Sequence, residues 1–234
     1  MELKGKVALV TGGSNGIGKA TAEMLVAKGA KVYICARNAD RLGQVAEQIG
    51  ATALHADVAQ QEEVDSVFEA IVKQEGRLDI VVNNAGLAKG WAEIDEVDFE
   101  DMKYVYAVNV FGAAMVGQAA ARIFKQQRSG NIINIGSTAS QKGYAKGSVY
   151  ASSKFALRGL SQCWQAELRP FNVRVMHVNP SEVTTAFGTA DGVDRPEVDN
   201  KLRAEEIAHQ IVCQLQMDAR GFVPEVTVWA TNPW

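Results

Sequence analysis

Lys6-Val7-Ala8-Leu9-Val10-Thr11-Gly12-Gly13-Ser14-Asn15-Gly16-Ile17-Gly18-Lys19-Ala20 is the stretch that decides how this chain folds. It opens as a short apolar, β-branched run, passes through a glycine-rich turn, and enters a helical pattern that continues from Ile17 to Ala27. A helix that starts directly after such a turn presents unpaired backbone N–H groups, and these attract phosphate. The spacing is GxxxGxG, which differs from the commoner GxGxxG, so the motif draws its weight from lying between a strand and a helix. Gly12, Ser14 and Gly16 also read as GxSxG. A hydrolase nucleophile follows the strand and loop that supply its oxyanion hole, whereas only one strand precedes Ser14, so hydrolysis is set aside.

Working outward, the same rhythm repeats to the end of the chain. Strands are expected at Lys6 to Val10, Lys31 to Cys35, Ala51 to His55, Ile80 to Asn83, Asn131 to Ile135, Arg174 to Val178 and Glu225 to Val228. Helices are expected at Ile17 to Ala27, Arg41 to Ile49, Glu62 to Gln74, Val149 to Leu168 and Ala204 to Leu215, with Asp40 as the cap of the second. Strands alternating with helices predict an α/β protein: a single-domain, Rossmann-type, doubly wound parallel sheet of about seven strands with helices on both faces. No repeat or linker divides residues 1–234. One irregular stretch, 181–200, holds Gly188, Gly192 and Pro196 among acidic residues. It is read as a substrate-loop region, with an ordered surface loop as the alternative.

Composition narrows the function. The chain has 234 residues, 47% hydrophobic and 22% charged, and a formal charge of -3, so no broad basic field points to nucleic acid. No signal peptide or membrane span is indicated near Met1, and a cytoplasmic location is expected. Cys35, Cys163 and Cys213 are widely spaced in apolar surroundings and are expected to be buried free thiols. They and His55, His177 and His209 lack ligand-like spacing, so no metal site is expected.

Ser137 closes the fifth expected strand, and Tyr150 and Lys154 lie four residues apart at the start of the next long helix. That spacing places them on one helical face, where the lysine ammonium should favour the ionised phenol and bring a group of ordinary pKa ~10 toward a usable acid or base. Tyr150 is the only tyrosine with a lysine four residues later.

The glycine loop, Asn83-Asn84-Ala85-Gly86 at the fourth strand's end, and Ser137/Tyr150/Lys154 together resemble the short-chain dehydrogenase/reductase family, over nearly the whole chain. The resemblance implies hydride-coupled carbonyl chemistry. Ser137 and Tyr150 would bind the carbonyl oxygen, Tyr150 would supply the proton, and Lys154 would bind the nicotinamide ribose. Asn109, in Val108-Asn109-Val110, would be the fourth catalytic member, relaying protons through water. The cofactor would lie along Gly12, Ser14, Asn15, Gly16, Ile17 and Gly18, beside Asn84, Ala85 and Gly86. Asp57 and Val58 would flank the adenine, and Pro180, Val183 and Thr185 would stand near the nicotinamide and phosphates, with Ser181 where the family has glycine.

At the end of the second strand an NAD site places a carboxylate, but this chain has Ala36-Arg37-Asn38. Arg37 can pair with a 2'-phosphate, so NADP(H) is preferred over NAD(H). Asp40 turning back to the ribose is the alternative to its capping role. The best match within the family is the 3-oxoacyl-[acyl-carrier-protein] reductase branch, which implies a small carbonyl or alcohol substrate, carrier-linked or free. Another ketone, a sugar or a pterin stays open, as does a dinucleotide-binding sensor without turnover. The family habit, together with the small residues Gly112 to Ala121, implies a homo-oligomer, a dimer or tetramer; tight packing of that helix on its own sheet is the alternative.

Overall fold

The computed structural model describes residues 1–189 and 195–233; Gly192, named above, lies outside the described residues. Seven parallel strands run β1 (Val7–Thr11), β2 (Lys31–Ala36), β3 (Thr52–His55), β4 (Ile80–Asn83), β5 (Gly130–Ile135), β6 (Val173–Pro180) and β7 (Glu225–Val228). Their order across the sheet is β3-β2-β1-β4-β5-β6-β7, so the order reverses between β1 and β4. At such a switch point the carboxyl ends of the strands open a crevice.

Alternation along each strand sends side chains to opposite faces, and each face has its own core. Ala8, Val10, Ile34, Val82, Ile133 and Met176 pack with helices α1 (Gly16–Ala27), α2 (Ala39–Ile49) and α7 (Ala204–Gln216). Leu9, Tyr33, Val81, Ile132 and Val175 pack with α3 (Gln61–Glu75), α5 (Ala113–Gln127) and α6 (Ser148–Leu168). Buried aliphatic side chains of this kind each contribute about 1.5–3 kcal/mol of transfer free energy, which explains why strands covered on both sides read as unbroken apolar runs.

Several local expectations need correction. Asn38, not Asp40, caps α2: its side chain accepts from Arg41 N at 2.9 Å, and Asp40 sits inside the first turn. A further helix, α4 (Phe99–Tyr106), precedes Asn109 and continues through a π-helical turn, Ala107–Gly112, into α5. The combined run Phe99–Gln127 has a mean hydropathy of 1.3 in its most apolar window, but half of that window is buried inside the protein, as in a core helix. Cys35 is buried, whereas Cys163 and Cys213 are exposed. Each exposed cysteine lies on the outer side of its helix; Val212 and Leu215 beside Cys213 turn inward instead.

The small residues of α5 serve the chain's own packing. A Cβ on Gly117 would collide with the Trp164 ring, and one on Gly112 would stand 2.9 Å from the Val58 carbonyl oxygen. Ala113, Ala119 and Ala120 are buried.

Candidate active site

The glycine turn is shaped by close approach. Gly12 has φ +65°, a backbone conformation that favours glycine, and a Cβ on Gly18 would strike the Gly12 carbonyl oxygen. Asn84 secures the turn from the switch-point side, donating from Nδ2 to Thr11 O at 2.9 Å and Gly12 O at 3.2 Å. The Thr11 hydroxyl in turn accepts from Asn84 N and Ala85 N. Asn15, at the N-cap of α1, makes no side-chain cap bond, and the first turn carries no acidic residue. Its leading N–H groups therefore face the crevice uncapped, which fits an anionic group such as a diphosphate.

Two adjoining cavities occupy the carboxyl ends of the strands. The larger, about 710 Å³, is lined by Gly12, Asn15, Gly16 and Ile17 on one side and by Ser137, Tyr150 and Lys154 on the other. Asn84, Pro180, Val183 and Thr185 also reach it. The smaller, about 230 Å³, includes Ser14, Arg37, Asp57, Val58, Ala85 and Gly86. Every expected site residue lines one of the two, except Gly18, which lies beneath the turn, and Asn109. Asn109 is 1% exposed and its amide is spent on the frame: Oδ1 accepts from Leu87 N, while Nδ2 donates to Leu87 O and Ser153 Oγ. Its side chain braces the loop after β4 and the start of α6.

In the smaller cavity no carboxylate follows β2. Arg37 stands there, its guanidinium hydrogen-bonded to the Tyr104 hydroxyl and 6.0 Å from that ring's centroid. A planar cation held at this place fits a phosphate on the adenosine half of a dinucleotide.

Ser137 is held by the short helix it begins: its Oγ accepts from Ala139 N at 3.1 Å, and its N–H is shared by Ser140 Oγ and Asn179 Oδ1. The hydroxyl proton stays available to a neighbour. Tyr150 and Lys154 are both buried. Lys154 Nζ donates to Ile135 O at 2.9 Å and lies 5.8 Å from the Tyr150 ring centroid.

Burial corrects the expected electrostatics. It pushes the Tyr150 phenol up to about 12, with the Ser137 hydroxyl pulling the other way, and pushes Lys154 down to about 8. Leaving water disfavours phenolate and ammonium alike, which moves the two groups in opposite directions. At neutral pH Tyr150 is a protonated phenol beside a mostly charged lysine.

Sequence reasoning missed the aromatic wall of the larger cavity. Trp91 packs on Tyr144 at 6.2 Å and on Tyr150 at 5.7 Å, and Phe187 lies 5.8 Å from Tyr150. The available signal was the presence of large aromatics in the glycine-bearing loops after β4, β5 and β6.

Comparison with known proteins accords with this geometry. The NADP-dependent 3-hydroxy acid dehydrogenase of Schizosaccharomyces pombe is 32% identical over 245 residues, covering 98% of this chain and 94% of its own. The alcohol dehydrogenase of the archaeon Thermococcus sibiricus, solved with 5-hydroxy-NADP, superposes with a TM-score of 0.89 at 29% identity, covering 97% of both chains. The 3-ketoacyl-(acyl-carrier-protein) reductase of Brucella melitensis, solved with NADH, gives a TM-score of 0.89 at 26% identity, covering 99% of this chain and 100% of that one. Residues 6–195 match the short chain dehydrogenase family, and this protein belongs to it: an oxidoreductase built for a nicotinamide dinucleotide and a small-molecule substrate.

Proposed function

We propose that the protein reduces a ketone to an alcohol with NADPH, using Tyr150 as the proton donor. The observation that carries this reading is the placement of the buried Tyr150 phenol beside Ser137 and Lys154 in the cavity that also holds the uncapped turn of α1. Gly12, Asn15, Gly16 and Lys154 would hold a reduced nicotinamide dinucleotide, whose chemistry when bound would be to give a hydride, one proton with two electrons, to a carbonyl carbon. Ser137 and Tyr150 bind the carbonyl oxygen and orient it, and their hydrogen bonds strengthen as negative charge develops there. Tyr150 gives that oxygen its proton, which completes the alcohol. The Lys154 ammonium favours the phenolate left behind, against its burial. Asn109 acts here as a positioning residue through Leu87 and Ser153.

Arg37 and the absence of a carboxylate after β2 support NADPH over NADH, as do the cofactors named for the Schizosaccharomyces and Thermococcus proteins; the NADH in the Brucella structure stands against it. Similarity to the Brucella reductase favours a second reading of the substrate, a 3-oxoacyl thioester. Of the segment 181–200, the described residues 181–189 are proposed to cover the substrate, since Glu182, Val183 and Phe187 line the larger cavity. A cytoplasmic location is proposed because all three cysteines are free and two are exposed.

The test is NADPH absorbance across a panel of ketones, with NADH in parallel. Tyr150→Phe should cut turnover by about 10²–10⁴-fold, the usual worth of general acid catalysis, while NADPH binding followed by fluorescence persists. Near-native turnover by that variant would sink the assignment.

A further inference from the structure

The larger cavity carries more than the chemistry at its base. Four aromatic residues from four separate segments converge on it: Trp91 after β4, Tyr144 after β5, Tyr150 on α6 and Phe187 after β6. Trp91 and Phe187 each pack on the Tyr150 ring, and Tyr144 stacks on Trp91 with 29° between the planes. Trp91, Tyr144 and Phe187 remain 51%, 48% and 40% exposed. Leaving so much aromatic surface in water at the mouth of a cavity is costly, and a ligand with a complementary face would recover that cost.

The flanking charges narrow the ligand. Lys89 faces Asp101 at 2.6 Å, Lys146 faces Glu93 at 4.0 Å, and Glu182 stands 4.0 Å from Arg195 and 2.7 Å from Lys201. Three carboxylates stand against these four cations, which leaves a single net positive charge for the phosphates of a thioester arm or for an acidic carrier. The wall favours a neutral molecule with a flat π face.

We propose that the substrate is an aryl ketone, its ring packed against Trp91 and Phe187 while its carbonyl oxygen meets Ser137 and Tyr150. This rests on the carbonyl-reductase reading above and adds the substrate class. The aromatic wall stands directly beside the Tyr150 phenol, so a ring attached to the carbonyl carbon reaches the wall when the oxygen reaches Ser137. Two additional aromatic contacts at the usual strength of such pairs correspond to a preference of about tenfold.

The experiment compares kcat/KM with NADPH for acetophenone, cyclohexyl methyl ketone and 2-octanone, which have equal carbon counts, and for acetoacetyl-CoA. Expected is a preference of about tenfold for acetophenone over both other ketones and over the thioester, expressed mainly in KM. Trp91→Leu and Phe187→Leu, on separate loops, should each reduce that preference to about threefold. The ratio is measured within one variant, so a loss of folded protein affects all substrates equally. Equal use of acetophenone and cyclohexyl methyl ketone, better use of 2-octanone or acetoacetyl-CoA, or an unchanged preference in both variants overturns the aryl assignment and leaves the reductase reading standing. A protein that binds NADPH but oxidises it with none of the four substrates overturns the reductase reading, and the inference with it.

Discussion

Arg37 and Tyr104 lie 67 residues apart in the chain, yet their side chains meet at the adenosine end of the crevice. A guanidinium pinned by a hydroxyl and an aromatic face loses less freedom when it binds a phosphate than a free arginine does. Arg37→Ala should raise KM for NADPH by about 10–100-fold, the worth of a charged hydrogen bond, and leave KM for NADH nearly unchanged. Tyr104→Phe should raise KM for NADPH less, by about threefold, through lost positioning. Steady-state kinetics with both cofactors checks each outcome. Equal effects on NADPH and NADH would show that Arg37 does not read the 2'-phosphate. Arg37 was legible in the sequence because its place after β2 is local information. Tyr104 was not, because nothing in the chain near it points to β2.

At the scale of elements, the strand-turn-helix unit β1–α1 and the helix face carrying Tyr150 and Lys154 were legible from spacing alone. The π-helical turn that seats Asn109 was not, since it is stabilised by bonds to Leu87 and Ser153 in other segments. Strand β6 carries a buried titratable group that the chemistry does not use. His177 is 1% exposed and bonds Ser161 Oγ through Nδ1 at 3.0 Å. Burial first, then Lys154 and Arg158, hold its pKa down to about 4, against the opposing pull of Glu225 and Asn179. The unfolded chain takes up this proton near pH 6.5 and the native protein only near 4, so stability is fully present above 6.5 and falls as pH drops through that window. Urea melts at pH 7 and pH 5 should differ by about 2 kcal/mol from this residue, and His177→Gln should flatten the difference. An unchanged slope in His177→Gln would assign the acid sensitivity to other groups.

At the scale of the whole molecule, the small residues of α5 are consumed by intramolecular packing, so they do not argue for self-association. Phe111 and Phe155 do: both are large, apolar and exposed, at 61% and 42%, on the π-helical turn and on α6. We propose a homo-oligomer in which these two exposed rings become covered. Light scattering should give a mass at least twice that of the chain, and Phe111→Glu with Phe155→Glu should bring it down to one; a wild-type monomer would refute the proposal. The sequence by itself determined the parallel α/β sheet, the phosphate-facing turn and the Ser137/Tyr150/Lys154 spacing, because strand alternation, glycine turns and i,i+4 helical faces are short-range consequences of the backbone. Only the tertiary structure decided the aromatic wall around Tyr150, the pinning of Arg37 and the displaced pKa values of Tyr150 and Lys154. These depend on side chains from distant segments meeting at the carboxyl ends of the strands, and on burial, which belongs to the assembled fold and to no single segment.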